Sequence, residues 1–396
     1  MAQEVPFIKK FIIIGGMLLF GTCTVVIQKF LFEQEAVGDA KYGGDPRKFK
    51  KPWFQTGSMF VGMFSALIVY EIQRCLQKKK GVEQSLQSVD QEETEKAEKA
   101  SHKKLYFVVA APACCDLLAT ALMNIGLLYI QASVWQMLRG SMVLFSSIFC
   151  AFILKRPHYS YMWWSVVLII IALTIVGVAA VSSTGVGKAG VTTGQVVLAI
   201  CLTVGSQLIQ ASQIVVEDFL MHDLTASPVL IVGLEGMWGT IITGCVFLPI
   251  ISFTGGIKDE GNGVHEDTID SFKMIGNSPV LIVFVILYIL VILFYNVTGM
   301  YVTNITSAVI RTILEGLRTL CIWVVELILF YSTGNPDLGE EWTVFSFMQL
   351  AGFFLLFTGM LLYNKIIRIP IFTYPDELEQ KVVDDTPLIQ KDDERN

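Results

Sequence analysis

Arg139 and Arg311 stand 172 residues apart, each inside an apolar run long enough to cross a bilayer, and Asn124/Asn296 and Tyr129/Tyr301 repeat at the same interval. Asp116, Glu235, Glu315 and Arg318 are embedded in apolar runs as well. An ionisable side chain near the bilayer centre costs roughly 2.5–3.5 kcal/mol on insertion scales, so such residues face a partner or a wet cavity rather than lipid. The chemistry open to this set is electrostatic. Asp116, Glu235 and Glu315 can take up and release protons. Arg139 and Arg311 can pair with them, or meet the anionic part of a solute, because the planar guanidinium matches a carboxylate or phosphate with two parallel hydrogen bonds.

Spacing sorts these residues onto helix faces. Ser307, Arg311, Glu315, Arg318 and Ile322 are separated by four, four, three and four positions, which puts them on one face of a helix. Arg311 with Glu315, and Glu315 with Arg318, can then pair inside that helix. The stripe reads either as a self-neutralised lock between helices or as the lining of a polar cavity. Trp135, Gln136 and Arg139 have no acidic neighbour in sequence, so Arg139 should find its partner in Asp116 or Glu235 on another helix. Pro112, one turn before Asp116, either kinks its helix or is tolerated near a helix end. Glu217 and Asp218 close an apolar run and read as interfacial.

Other chemistries are excluded by type and spacing. Seven of the eight cysteines lie inside apolar runs and Cys75 closes one, as small buried apolar residues do, and CxxC pairs are absent. His102, His158, His222 and His265 all fall outside the apolar interiors, so no metal site is expected. The sequence holds no P-loop, nucleophile elbow, HExxH or paired-carboxylate signature, which argues against an ATP-driven pump or an enzyme and implies no cofactor. The net charge of −6 comes mainly from loops and tail, and no basic patch with interleaved aromatics suggests nucleic acid.

The elements that must carry these residues are membrane-spanning helices. Of the 396 residues, 53% are hydrophobic and only 16% charged, with a mean hydropathy of +0.59; soluble domains are nearer a quarter charged. The apolar runs predict an all-α polytopic membrane protein of ten transmembrane helices, at 11–32, 54–76, 105–129, 133–154, 161–183, 193–216, 228–252, 279–302, 307–331 and 344–368. The first run is too long for a cleavable signal and should remain as a helix. The 172-residue echo relates the third span to the eighth and the fourth to the ninth, so each half holds five helices, 1–183 and 184–369. An odd number per half makes the copies enter the membrane in opposite senses, the inverted repeat of secondary transporters, whose binding site lies near the midplane between halves. A weaker echo at 174 aligns Gly62-Met63-Phe64 with Gly236-Met237-Trp238.

Loops complete the plan. With both termini cytosolic, that side holds 17 Lys and Arg against 8 on the other, as the positive-inside rule requires. The sequon Asn304-Ile305-Thr306 then lies on a cytosolic turn and should stay unmodified. Residues 78–104, with alternating Glu and Lys, read as a disordered or weakly helical linker, and 370–396 as a disordered tail. Ile269, Phe272 and Ile275, three apart, suggest a short interfacial helix. In the tail, Asp384, Leu388 and Ile389 fit an acidic dileucine peptide of the type clathrin adaptor complexes read as an endosomal and lysosomal address.

Pro112-Ala-Cys-Cys-Asp116, Gln136-Met-Leu-Arg-Gly140, Gln213-Ile-Val-Val-Glu217, Glu235-Gly-Met-Trp-Gly239 and Arg311-Thr-Ile-Leu-Glu-Gly-Leu-Arg318 carry a family resemblance. At these segments the chain resembles the drug/metabolite transporter superfamily, within it the F branch of solute carrier family 35, and more distantly the chloroquine-resistance transporter group. The resemblance implies ten helices in two inverted five-helix repeats, alternating access and a central cavity lined chiefly by helices one to four and six to nine. It also implies a lysosomal or late endosomal membrane, with Golgi, endoplasmic reticulum or mitochondrion as alternatives. It supplies no substrate. The expectation is a secondary transporter of a small polar or charged organic solute. The alternatives are a nucleotide-sugar transporter and a non-transporting membrane scaffold acting through a protein partner, and a homodimer is left open. Asp116, Asn124, Trp135, Gln136, Arg139, Glu235, Asn296, Arg311, Glu315 and Arg318 form the expected substrate cavity.

Overall fold

In a bilayer every backbone N–H and C=O must be satisfied within the protein, and long apolar runs meet that demand as helices. The computed structural model describes residues 6–42, 44–84, 105–127, 129–130, 134–135, 138–152, 159–182, 192–222, 227–254, 266–306, 308–334, 339, 341–363 and 365–374. Over these the order is α1 (Phe7–Glu33), β1 (Glu35–Ala36), β2 (Arg47–Lys48), α2 (Pro52–Phe64), α3 (Ala66–Gln84), α4 (Ala110–Leu127), α5 (Met142–Phe152), α6 (Ser160–Ser182) and α7 (Thr193–His222). There follow α8 (Pro228–Ile242), α9 (Leu248–Thr254), α10 (Thr268–Asn277), α11 (Pro279–Ile305), α12 (Ala308–Thr333) and α13 (Val344–Tyr363). The protein is an all-α polytopic membrane protein. Among the described residues seven helical stretches are long and apolar enough to cross a membrane: Phe7–Glu33, Pro52–Leu76, Leu105–Gly126, Thr193–Met221, Pro228–Ser252, Pro279–Ile305 and Val344–Tyr363, with a shorter apolar one at Ser160–Val176.

Packing follows a pattern of matched pairs. α4 lies along α7, and α11 lies along α1; α5 also packs on α7, as α12 does on α1; α8 touches α4, as α2 touches α11. α2 packs on α8 and α6 on α13. Small residues let these backbones approach. A Cβ on Gly126 of α4 would meet Thr203 Oγ1 of α7 at 2.5 Å, while a Cβ on Gly16 of α1 would touch Thr298 of α11 at 3.4 Å. Gly126 and Thr298 are themselves 172 residues apart. Gly233, Gly236 and Gly239 line one face of α8, and a side chain at Gly236 would run into the Phe64 nitrogen and the Met63 carbonyl carbon of α2. The two segments of the weaker sequence echo therefore pack directly on each other.

Breaks in the spans have local causes. The third span is interrupted by a turn at Val109, three residues before Pro112, whose missing N–H and ring disrupt the preceding turn. One turn of π-helix at Thr243–Phe247 joins α8 to α9. The uninterrupted fourth helix expected from hydropathy is corrected: Arg139–Ser141 is a 3-10 turn leading into the short α5.

Two loops meet on one end of the molecule. β1 and β2 pair antiparallel, Glu35 opposite Lys48, between α1 and α2. Against them sits α10, the short helix expected at 269–275, whose N-cap Asp267 accepts from the Ile269 and Asp270 nitrogens. Asp270, fully buried, receives the Asp39 N–H at 2.6 Å, the Arg47 guanidinium, and Lys51 Nζ at 2.7 Å. Lys273 reaches Asp39 at 2.7 Å. Glu266 accepts from the Trp53 and Phe54 nitrogens, each at 2.8 Å, and so caps α2.

Three further expectations change. Helix α3 continues to Gln84, so the first seven residues of the expected linker are helical, and 85–104 lie outside the described residues. The expected tail begins packed: Tyr374 is buried against Tyr161, and its hydroxyl accepts from the Ile369 nitrogen at 2.8 Å. Cys114, Cys201 and Cys245 are exposed on helices rather than buried; in a bilayer an exposed apolar face meets lipid, as Phe107, Val283 and Phe347 also do.

Candidate functional site

The polar residues of α7 and α12 occupy facing stripes. On α7, Gln210, Gln213 and Glu217 are spaced by three and four, and on α12 Arg311, Glu315 and Arg318 by four and three. Arg311 Nη1 donates to Glu217 at 2.6 Å, and its nearest other partners are Thr303 Oγ1 at 3.4 Å and the Met300 sulfur at 3.5 Å. Gln213 Nε2 donates both to Glu217 at 2.8 Å and to Glu235 of α8 at 2.6 Å. The Gln213 carbonyl accepts from Gln210 at 3.1 Å, and Gln210 also donates to Asp116 of α4 at 3.3 Å. Two amides thus wire three carboxylates and one arginine into a single network across α4, α7, α8 and α12. All four charged members are buried, Glu217 and Glu235 to 1% exposure.

A second cluster ties α1, α11 and α12. Arg318 pairs with Glu315 at 2.8 Å, and Glu315 accepts the Tyr295 hydroxyl. The Arg318 guanidinium lies 4.9 Å from the centre of the Tyr295 ring and donates to the Gly21 carbonyl at 3.3 Å. Gly21 admits this: a Cβ there would strike Arg318 Cδ and come within 2.9 Å of the Tyr295 ring. Further along, Lys29 of α1 pairs with Glu326 of α12 at 2.8 Å.

The arrangement corrects three readings from sequence. Arg311 pairs across to Glu217, not along its helix to Glu315. Glu217, near the interfacial end of α7, does not face solvent but is 1% exposed and ion-paired, and Asp218 beside it is fully buried. Arg139 makes no ion pair with Asp116 or Glu235; its guanidinium stacks 5.2 Å over Trp135. Trp135 donates its indole N–H to the Met123 carbonyl at 3.0 Å. Asn124 donates to Thr56 of α2 at 3.4 Å, and Asn296 to the Ile292 carbonyl of its own helix at 3.0 Å. Gln136, Asp384, Leu388 and Ile389 lie outside the described residues.

Gln210, Gln213 and Glu217 were the members missed. Their signal is polar residues at helical spacing in a long apolar run; Gln213 and Glu217 enter the sequence reading only as a resemblance segment and an interfacial acid, and Gln210 not at all. What the network can do is bounded by its charge. Taking one partner from a buried ion pair costs about 3–5 kcal/mol, because the other charge is left uncompensated. Such a set holds the helices that carry it in one arrangement.

No family model matches this chain. It is 30% identical over 357 residues to proteins of Rattus norvegicus and Homo sapiens, each named solute carrier family 35 member F6, and the match covers 89% of this chain and 88% of each relative. An uncharacterised protein of Schizosaccharomyces pombe is 29% identical over 265 residues, which is 66% of this chain and 75% of the yeast protein.

Proposed function

The chain belongs to solute carrier family 35, in its F branch, and from that membership we propose that it is a secondary transporter moving a small polar or charged organic solute by alternating access. In this reading ten helices form two five-helix halves, 1–183 and 184–369, threaded in opposite senses around a site near the membrane midplane. The exchange of partners between α4·α7 and α11·α1, and between α5·α7 and α12·α1, supports it, because a two-fold relation between halves interchanges those contacts.

One observation carries the proposal: the buried network of Asp116, Glu217, Glu235 and Arg311, joined through Gln210 and Gln213 where α4, α7, α8 and α12 converge. Charges buried inside a membrane protein pair with one another and mark solute and ion pathways. Arg139, stacked on Trp135 with no carboxylate paired to it among the described residues, is the guanidinium proposed for the anionic part of a solute. Asn124, Asn296, Gln136, Glu315 and Arg318 complete the proposed lining.

The test is flux into liposomes carrying the purified full-length chain, with a panel of labelled amino acids, organic acids, amines, nucleotides and nucleotide sugars. One class should exchange saturably and lose most of its flux with Arg139→Ala at unchanged protein level. A folded protein that moves nothing above empty liposomes would overturn the proposal in favour of a membrane scaffold. Flux confined to nucleotide sugars would replace the solute class.

We place the protein in lysosomal or late endosomal membrane with both termini cytosolic, on the strength of Asp384, Leu388 and Ile389 and of the lysine and arginine distribution.

A further inference from the structure

The buried network is unbalanced. Asp116, Glu217 and Glu235 bring three carboxyl groups to one guanidinium, Arg311. Glu217 and Glu235 place an oxygen within 2.8 Å of the same Gln213 nitrogen, yet only Glu217 has the arginine. Two like charges at that separation in a dry interior repel strongly, and a proton on either carboxyl group removes the repulsion. Glu235 is 1% exposed, and only one of its oxygens is hydrogen-bonded among the described residues, leaving the other to hold hydrogen. The charged and polar groups facing it are Glu217 and Gln213 from α7, Asp116 from α4 and Arg311 from α12.

The ion pair beside it has a mechanical place. α1, α11 and α12 are tied together by Lys29–Glu326, by Arg318 on the Gly21 carbonyl, and by Tyr295 on Glu315. α4 and α5 both pack on α7. Arg311–Glu217 crosses between these two groups, at the membrane face where α7 ends and α12 begins.

We propose that Glu235 carries a proton that controls the Arg311–Glu217 latch, with Gln213 as the positioning residue between the two carboxyl groups. This rests on the transport reading and names its coupling ion. While Glu235 and Asp116 are both neutral, Arg311 and Glu217 form a balanced one-to-one pair and the latch stays closed, with the ion pair made as it is here. When the proton leaves to water, the new carboxylate repels Glu217, competes for Arg311 and draws water in, and the latch opens.

The experiment is a distance measurement by pulsed electron paramagnetic resonance on the full chain in lipid nanodiscs. Spin labels go on Phe219→Cys of α7 and Asn304→Cys of α11, both exposed, with the native cysteines replaced and the melting temperature checked. The label pair should be short at pH 5 and gain a longer population at pH 8. Glu235→Gln should stay short at both values and Glu217→Gln long at both. Glu266→Gln, which removes a titrating group of the loop cap, should respond like the parent. A parent distance that ignores pH, a response that survives Glu235→Gln, or one abolished by Glu266→Gln would overturn the latch. Solute flux that persists while the distance ignores pH would sink the latch and leave transport standing. A distance that follows Glu235 with no flux for any solute would do the reverse.

Discussion

Glu217 follows a long apolar run and has Asp218 beside it, so its sequence context reads as the membrane surface. Its surroundings bury it there, because Arg311 arrives from 94 residues away to neutralise it. At this scale the charged residues were legible as a set, and of their pairings only Glu315 with Arg318, within one helix, was. Helical spacing offers Arg311 to Glu315, while the fold gives Glu315 to Arg318 and Tyr295. Glu266 yields the clearest single-residue prediction. Burial pushes its carboxyl up to about 7, against the opposing pull of the Trp53 and Phe54 N–H groups, Lys51 and Ser271. The folded chain therefore holds this proton more tightly than the unfolded chain does. The stabilisation is fully present below about pH 4.5 and is lost as pH rises through about 7, a difference of about 3 kcal/mol. The melting temperature should fall between pH 5 and pH 8, and Glu266→Gln should flatten much of that fall. Asp39 and Asp270 sit below the usual carboxylate range, so their contribution is lost only in stronger acid, outside this window. A variant with the parent's slope would remove Glu266 from the account.

Helices were the best predicted elements, since long apolar runs leave a bilayer-embedded backbone no alternative. Interruptions were harder to read. The 3-10 turn at Arg139–Ser141 contains no proline, while the π-turn at Thr243–Phe247 closely precedes Pro249, which has no N–H to give the Cys245 carbonyl. The packing of α2 on α8 gives a test at this scale. Gly236→Ala puts a methyl group against backbone atoms of Met63 and Phe64, which cannot rotate aside, and should cost about 3 kcal/mol, the upper part of the overpacking range. Gly244→Ala, with nothing within 4 Å, is the matched control and should leave the melting temperature nearly unchanged. Equal effects at both positions would mean that the α2–α8 contact is looser than described. A second test concerns the loop cap, where Asp270 receives Arg47, Lys51 and the Asp39 N–H. Asp270→Asn leaves two cations facing a neutral amide and should destabilise by about 3 kcal/mol, read as a lowered melting temperature at pH 7. A variant as stable as the parent would show that the cap is not braced at this residue.

For the whole molecule, sidedness is the property that one-dimensional charge counting addresses most directly. If the termini are cytosolic, the end of α11 that carries Asn304, a helical position and not the expected turn, faces the cytosol, and the protein should show no glycosidase-sensitive shift and migrate as Asn304→Gln does. A shift abolished by that substitution would reverse the orientation. The tail offers a companion test: Leu388→Ala with Ile389→Ala should move the protein to the cell surface, and unchanged lysosomal staining would remove the sorting role.

The sequence by itself determined that this chain is a helical membrane protein, where seven of its apolar helices fall, which residues are too polar to face lipid, and which segments echo one another. These follow from local cost, residue by residue, in an apolar solvent. Tertiary structure alone decided who meets whom: Arg311 with Glu217, Gln213 between two carboxyl groups, Arg139 on a tryptophan instead of an acid. Several partners stand within reach of each buried charge, and the choice among them depends on how whole helices dock, through contacts such as Gly236 on α2, which no local pattern encodes.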